Sequence, residues 1–547
     1  MKINVRVMLY IIAFGLLFIL WNKWQIASRE HYLSQEQTQQ ESLPENIQEG
    51  NSGSQKVRIK TDVYDVYIDT KGAGIIAANL LQYPTSLQDE KPLSLIRSDN
   101  PNRMQMLSGI AHGDNTNAPS HLANWTVDKE FYHLKDGEDK LIVPFYWTDA
   151  EGVTSVKTFT FKRNSYEIEI SQKVHNESGS DWVGRAYNQI AFGKPQGGGL
   201  SSAATFTGAA ISTEQKRYEK IKLDDLESIN PASKKANKYQ KDIAGKDGWV
   251  AMIQHYFIAA FVPESGKEQR IFTNYNQNTG DHIVGVKTEL FTVENGADYE
   301  FAGKAYIGPK IVKNLEKTAP YLDKAVDYGW LFIISEFMFK VMDLIYSLLG
   351  NWGWSIVVIT LMIKGLFFMP SAWAYKSMAK MRLLQPELNR LRERYGEDRQ
   401  KMAQEQMKLF RREQVNPMSG CLPMLLQIPF FIAFYYMLAE SVELRQSAWI
   451  FWIKDLSVMD PYFVLPIINT ALMFVQQKLN PPPPDPMMQK MMLMMPLIFG
   501  MMFAVFPSGL VLYWTVSNAF GIVQQYLMNK HYGESKLQKK MPKAAND

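Results

Sequence analysis

The stretch that decides the fold is WGWSIVVITLMIKGLFF, Trp352–Phe368, followed by AYKSMAKMRLLQPELNRLRERYGEDRQKMAQEQMKLFRREQVNP, Ala374–Pro417, and then by the apolar run Cys421–Leu438. A long basic insertion is wedged between two runs that suit lipid. The first run also carries a lone cation, Lys364, which hydrocarbon disfavours, so that residue is where function is sought.

Outward from there, the mean hydropathy of −0.21 is that of a soluble protein, but it averages two unlike halves. From Met1 to about Ala325 there is one long apolar run, Val7–Trp21. Trp352 to Met528 holds five: Trp352–Phe368, Cys421–Leu438, Tyr462–Val475, Met491–Phe506 and Leu510–Met528. Six spans are therefore predicted. Those of about 16 residues reach only about 24 Å against a hydrocarbon core of about 30 Å, which predicts local thinning of the bilayer.

Lysine and arginine near the span ends set the orientation. Lys2 and Arg6 precede the first run; Lys376, Lys380, Arg382, Arg390, Arg392, Arg394 and further basic residues fill the insertion; Lys530, Lys536, Lys539, Lys540 and Lys543 follow the last run. All face the cytoplasm if six spans are crossed, which places the region between the first two spans outside.

The domains then read as a signal anchor (1–27), a polar flexible tether (28–56), a soluble domain (57–325), an interfacial amphipathic helix (326–350), a membrane core (351–530) and a basic tail (531–547). In the soluble domain Val57, Ile59, Val63–Ile68, Val153–Lys162 and Tyr166–Ile170 alternate apolar with polar, and Lys71-Gly72 and Asn295-Gly296 mark turns. That predicts a large antiparallel β-sandwich, with helical periodicity confined to Glu214–Lys235. Within the core, Met381, Leu384, Leu388, Leu391 and Tyr395 recur at helical spacing. With Asp398 capping a second arm, the insertion 374–417 is predicted to be a helical hairpin.

Several chemistries are excluded. A net charge of +4 is too small to imply nucleic-acid binding, and the single cysteine, Cys421, cannot form an intramolecular disulfide. The eight histidines are scattered, no phosphate-binding loop is present, and Ser377-x-x-Lys380 is a chance four-residue match. No catalytic set, metal or cofactor is expected.

The remaining signal is polarity inside the spans: Thr360, Gln427, Asn469, Thr470, Thr515, Ser517, Asn518, Gln524 and Gln525. Such groups commonly just join helices, and Lys364 lies close enough to the cytoplasmic end of its span to snorkel. The sign imbalance argues for more. No span contains an acidic residue to pair with Lys364, so the counter-charge is expected to arrive with a substrate. Eight methionines between Met487 and Met502 offer an adaptable apolar surface.

Asn416-Pro417-Met418-Ser419-Gly420-Cys421-Leu422-Pro423, Tyr435-Tyr436-Met437-Leu438, Ser441-Val442-Glu443-Leu444-Arg445 and Phe506-Pro507-Ser508-Gly509-Leu510-Val511-Leu512-Tyr513-Trp514 together resemble the YidC membrane insertase family in its long Gram-negative form. The resemblance implies a core of five spans around a hydrophilic groove open to cytoplasm and lipid, and an outer domain similar to a sugar-mutarotase supersandwich. It implies insertion and assisted folding of inner-membrane proteins without ATP hydrolysis. The partners it implies are nascent membrane proteins, the Sec translocon with its accessory subunits, the ribosome through the hairpin and basic tail, and membrane lipids.

The groove residues it implies are Lys364, Thr360, Gln427, Asn469, Tyr513, Trp514, Ser517 and Asn518, with an apolar slide of Ile428, Pro429, Phe431, Met502 and Phe503. Lys364 stands where the family usually has arginine. Two other classes stay open: a small-solute transporter, disfavoured by the lack of internal repeats or a buried acidic ion site, and an anchored carbohydrate protein acting through the sandwich.

Overall fold

The computed structural model describes residues 54–98, 103–112, 118–194, 206–229, 240–395, 398–413, 415, 422–480 and 486–531. The expected anchor 1–27, nearly all of the tether 28–56 and the tail beyond His531 lie outside the described residues.

The described residues between Lys56 and Pro309 are mainly strands, because alternating residues bury one face of each. In Val153–Lys162 every second residue is buried, and Trp182–Phe192 and Tyr64–Asp69 alternate likewise. Two sheets result, one of eleven strands and one of eight. The eight-stranded sheet runs in spatial order from Glu219–Lys222 through Thr207–Thr213, Gly248–Gln254, Phe257–Pro263, Asp298–Pro309, Glu167–Asn176 and Val153–Lys162 to Lys140–Thr148. Bonds cross between the sheets: Tyr64 donates its hydroxyl to the Tyr166 carbonyl at 2.8 Å, and the ammonium of Lys157 reaches the Ser108 carbonyl at 2.7 Å.

Two expectations need correction. Pairing is antiparallel almost throughout, but Lys56–Lys60 pairs in parallel with Phe131–His133. The described part of the stretch from Glu214, up to residue 229, is not mainly helical either: Glu219–Lys222 is a strand on Thr207–Thr213, and among these described residues only Leu223–Glu227 coils. Tyr218, Ile221, Leu223 and Leu226 bury themselves on the sheet, so tertiary contact overrides local periodicity.

The helices follow: α1 (Phe332–Leu349), α2 (Trp352–Leu366), α3 (Phe368–Leu383), α4 (Gln385–Tyr395), α5 (Arg399–Arg412), α6 (Leu422–Glu440), α7 (Val464–Leu479), α8 (Pro486–Phe503) and α9 (Ser508–His531). Each of the five apolar runs in this half coincides with a helix. No single helix among the described residues is long and apolar enough to cross a membrane alone; α2 and α3, bent by 62° at their break, pass that test together. Pro370 explains the break, since its ring collides with the Leu366 carbonyl and it donates no hydrogen bond there.

On α1, Ser335, Met338, Met342 and Ile345 turn inward, and the Ser335 hydroxyl donates to the Ala433 carbonyl of α6 at 2.9 Å. Ile333, Phe337, Leu344 and Leu348 are left exposed. The insertion forms the hairpin of α4 and α5, where Asp398 caps α5 by accepting from the Lys401 amide at 3.0 Å. Leu384, Leu388, Leu409, Phe410 and Val415 give it a small core of its own.

Sheets and helices meet at the end of α6. His255 bonds through Nε2 to the Ala439 carbonyl at 2.9 Å, Lys310 pairs with Glu440, and Arg445 donates to the carbonyls of Pro84 and Thr85 at 2.7 and 3.0 Å. The loop from Ser441 to Phe463 then folds over the α8–α9 turn. Ser508 and Gly509 donate their amides to the carbonyls of Val458 and Leu456 at 2.7 and 2.9 Å, and Asp460 accepts from Trp452 Nε1 and from the amides of Tyr462 and Leu465.

Candidate functional site in the helical bundle

The expected site residues sit on five helices: Thr360 and Lys364 on α2, Gln427, Ile428, Pro429 and Phe431 on α6, Asn469 on α7, Met502 and Phe503 on α8, and Tyr513, Trp514, Ser517 and Asn518 on α9. The last four recur at spacings of one, four and five, which gives them one helical face.

Lys364 and Gln427 meet. The ammonium donates to Gln427 Oε1 at 3.0 Å, and among the described residues no carboxylate lies within ion-pair distance of it. The amide oxygen satisfies one of three ammonium donors and leaves the charge uncompensated. Both side chains are half-buried, so the charge sits in a partly dehydrated setting where an incoming anion gains more than it would in water. Thr360 does not join them: its hydroxyl donates to the Ile356 carbonyl of its own helix at 2.6 Å.

A second polar pair lies between α7 and α9, where Asn518 Nδ2 donates to Asn469 Oδ1 at 2.8 Å. Asn469 is fully enclosed, and its own Nδ2, like Trp514 Nε1, finds no partner among the described residues. Buried donors left open are costly, so both atoms mark places where a water or a passing polar group is stabilised. Ser517 is buried on the same face of α9.

The aromatic residues form one cluster. Phe431 packs edge-on against Trp514 at 5.0 Å, Phe503 lies 5.3 Å from Trp514, and Phe434 lies 4.6 Å from Tyr513. Ile428 and Met502 are exposed, Pro429 and Phe431 half-buried, and Phe503 wholly enclosed. Phe503 therefore supports the apolar surface from behind instead of forming part of it. Met491 and Met495 also lie exposed on α8.

Sequence reasoning named Gln524 and Gln525 but passed over the junction they form with Arg382. Gln524 donates to the Phe368 carbonyl at 2.9 Å, Gln525 donates to the Leu479 carbonyl at 3.1 Å, and Arg382 donates to that same carbonyl. Two adjacent amides near the end of an apolar run were the available signal. It also passed over Glu440, which ends α6 and is buried against Lys310.

The family model of the 60Kd inner membrane protein matches residues 344–536, and that of the YidC periplasmic domain matches residues 56–341. A membrane protein insertase YidC of Legionella pneumophila is 40% identical over 559 residues, covering 98% of each chain. One of Hahella chejuensis is 40% identical over 494 residues, covering 89% of this chain and 84% of that one. A solved active YidC insertase aligns at a TM-score of 0.40 with 16% identity, over 87% of this chain and 93% of that one. With both family models matched in order along one chain and near-full-length relatives at this identity, the chain belongs to the YidC family of membrane protein insertases.

Proposed function

We propose that this chain inserts, folds and assembles integral inner-membrane proteins, alone or beside the Sec translocon, and that the half-buried Lys364–Gln427 pair receives the polar end of the substrate. The observation that carries the reading is the ammonium of Lys364, bonded at 3.0 Å to a neutral amide with no described carboxylate beside it. A substrate tail bearing an acidic group supplies the missing charge. Its apolar segment slides along Ile428, Pro429, Phe431 and Met502, backed by Phe503 and Trp514, and leaves sideways into lipid. Burial of that segment, at roughly 25 cal/mol per Å² of apolar area, drives the process.

The finer topology is part of the proposal. Six spans place both termini in the cytoplasm and the sheet domain, read as a supersandwich, in the periplasm. The domain limits are those given by the composition shifts, with α1 lying at the outer interface. Short helices such as α2, at 15 residues, support a thinned bilayer around the core. Ribosome and nascent chain are held by the basic hairpin and tail, the translocon and lipids at the flanks. A carbohydrate role for the sandwich is the competing reading, and deleting Val57–Leu315 separates the two, because an insertase keeps most of its activity without that domain.

The test is reconstitution into liposomes free of other proteins, with insertion of a short apolar protein bearing an acidic outer tail followed by protease protection. Protection above that of empty liposomes supports autonomous insertion. No gain by a folded, correctly oriented protein rejects it.

A further inference from the structure

α2 and α3 follow one another with a bend of 62° between them, α2 apolar and α3 turning basic beyond Tyr375, and Lys364 lies in the last turn before the bend. α3 leads away from the bend into the hairpin of α4 and α5, whose core is separate from the main one. The angle at the bend thus relates the hairpin to the ammonium. Something must hold it, because Pro370 has removed the local hydrogen bond that would stiffen a continuous helix.

Two contacts do so, one at each end of α3. At its start, Gln524 of α9, 3% exposed, donates to the Phe368 carbonyl at 2.9 Å. At its far end, Arg382 donates from Nη2 to the carbonyl of Leu479, the last residue of α7. That carbonyl is one of four a helix leaves without an internal partner, and a guanidinium at this end also meets the negative pole of the helix. Gln525, 2% exposed, shares the carbonyl at 3.1 Å and bonds Asn480 Oδ1 at 2.8 Å, so α7, α9 and α3 are joined at one point. α3 is thereby pinned to a pair of helices that already pack on each other through Asn469 and Asn518.

We propose that Arg382 and Gln524 are positioning residues for insertion: by fixing α3 they fix where Lys364 meets Gln427, and they carry force from the hairpin to the ammonium. This rests on the function proposed above. A nascent chain or ribosome seated on the hairpin would pull on a lever whose fulcrum is the Phe368 carbonyl and whose far clamp is Leu479. Arg382 meets the carbonyl through a single N–H with its charge at the negative pole of α7, and lysine keeps both a donor and the charge.

The experiment uses the full chain in liposomes. Spin labels at Glu393→Cys and Lys478→Cys, in a Cys421→Ser background, report the hairpin-to-α7 distance, and protease protection reports insertion. Arg382→Gln is expected to broaden the distance distribution and slow insertion about tenfold or more, the worth of one charged hydrogen bond, whereas Arg382→Lys stays near the parent in both. Gln524→Met, which keeps volume and removes the donor, is expected to slow insertion as well and guards against misfolding of the arginine variant. In a Lys364→Gln background neither substitution should slow insertion further, an outcome that general destabilisation would not give. A broadened distribution with unchanged insertion, or equal slowing with and without Lys364, overturns the positioning role and leaves the insertase reading intact. A parent that inserts nothing overturns both.

Discussion

The ammonium of Lys310 lies 2.5 Å from the carboxylate of Glu440, with the two side chains only 2% and 4% exposed. This pair joins the residue after the last strand of the sheet domain to the last turn of α6. Lys310 also donates to the Ala325 carbonyl at 3.3 Å, so the ion pair is one bond in a polar network enclosed by the two parts of the molecule.

Breaking the pair from one side leaves a charge without water or partner. Lys310→Met or Glu440→Met should each destabilise the protein by about 3 kcal/mol or more, while the two substitutions combined should recover most of the loss. A double-mutant cycle on thermal unfolding reads this; equal and additive losses would contradict it. Deleting Val57–Leu315 removes Lys310 but also uncovers Glu440 to solvent, so it should harm the helical half less than Lys310→Met does.

Lys157 is wholly enclosed between the sheets, donating to the Gly72 and Ser108 carbonyls at 3.0 and 2.7 Å with its ammonium 4.8 Å from the Trp125 ring centre. Burial lowers its pKa to about 7, against a usual value of about 10.4 for lysine. Above the lowered value and below the usual one, the unfolded chain binds a proton that the folded chain lacks. Stability should therefore rise with pH between about 7 and about 10, by at most ~1.4 kcal/mol per pH unit, with the full penalty present below about 7. Lys157→Met should flatten that slope in unfolding measured across the window. His121 beside it, lowered to about 4 by burial first and Lys157 second, stays neutral throughout.

At the capture point, Lys364→Ala should slow insertion of an acidic-tailed substrate about tenfold, or ~1.4 kcal/mol, and Lys364→Arg should hold it near the parent. A substrate with a neutral tail should respond less to either. Protease-protection rates with paired substrates check this, and equal rates for parent and alanine variant on the acidic tail would end the capture step.

A methyl group on Gly353 would fall 2.2 Å from Trp449 Cδ1, where α2 begins beneath the loop that follows α6. Gly353→Ala should cost about 1–3 kcal/mol of stability, and Trp449→Leu in the same chain should relieve part of it. Denaturation midpoints of the three variants decide the matter.

Much of this architecture could be read from residues alone, for identifiable reasons. Val153–Lys162 alternates in sequence and in burial because one face meets the opposing sheet. Asp398 after a turn announced a cap and provides one. Glu219–Lys222 departs from the helical expectation because its local periodicity is weaker than the pull of Thr207–Thr213, on which it forms the edge strand of the sheet. In the bundle, the unlike character of Lys364 and Gln427 within apolar runs made them conspicuous, but their contact spans 63 positions and no pattern reports it. Phe503 and Ile428 look alike in sequence, and only packing tells that one is enclosed and the other open. Arg382 was lost among many basic neighbours, since a clamp and a solvated charge share one spelling.

The loop after α6 is stitched to the α8–α9 turn by main-chain bonds, Ser508 to Val458 and Gly509 to Leu456, with Asp460 tying the loop to itself. Main-chain stitches do not depend on which side chains happen to be present, so this joint persists through most substitutions. On the proposed function, a joint that survives substitution keeps this end of the bundle from opening, and cargo entering the groove from the other end would leave sideways into lipid.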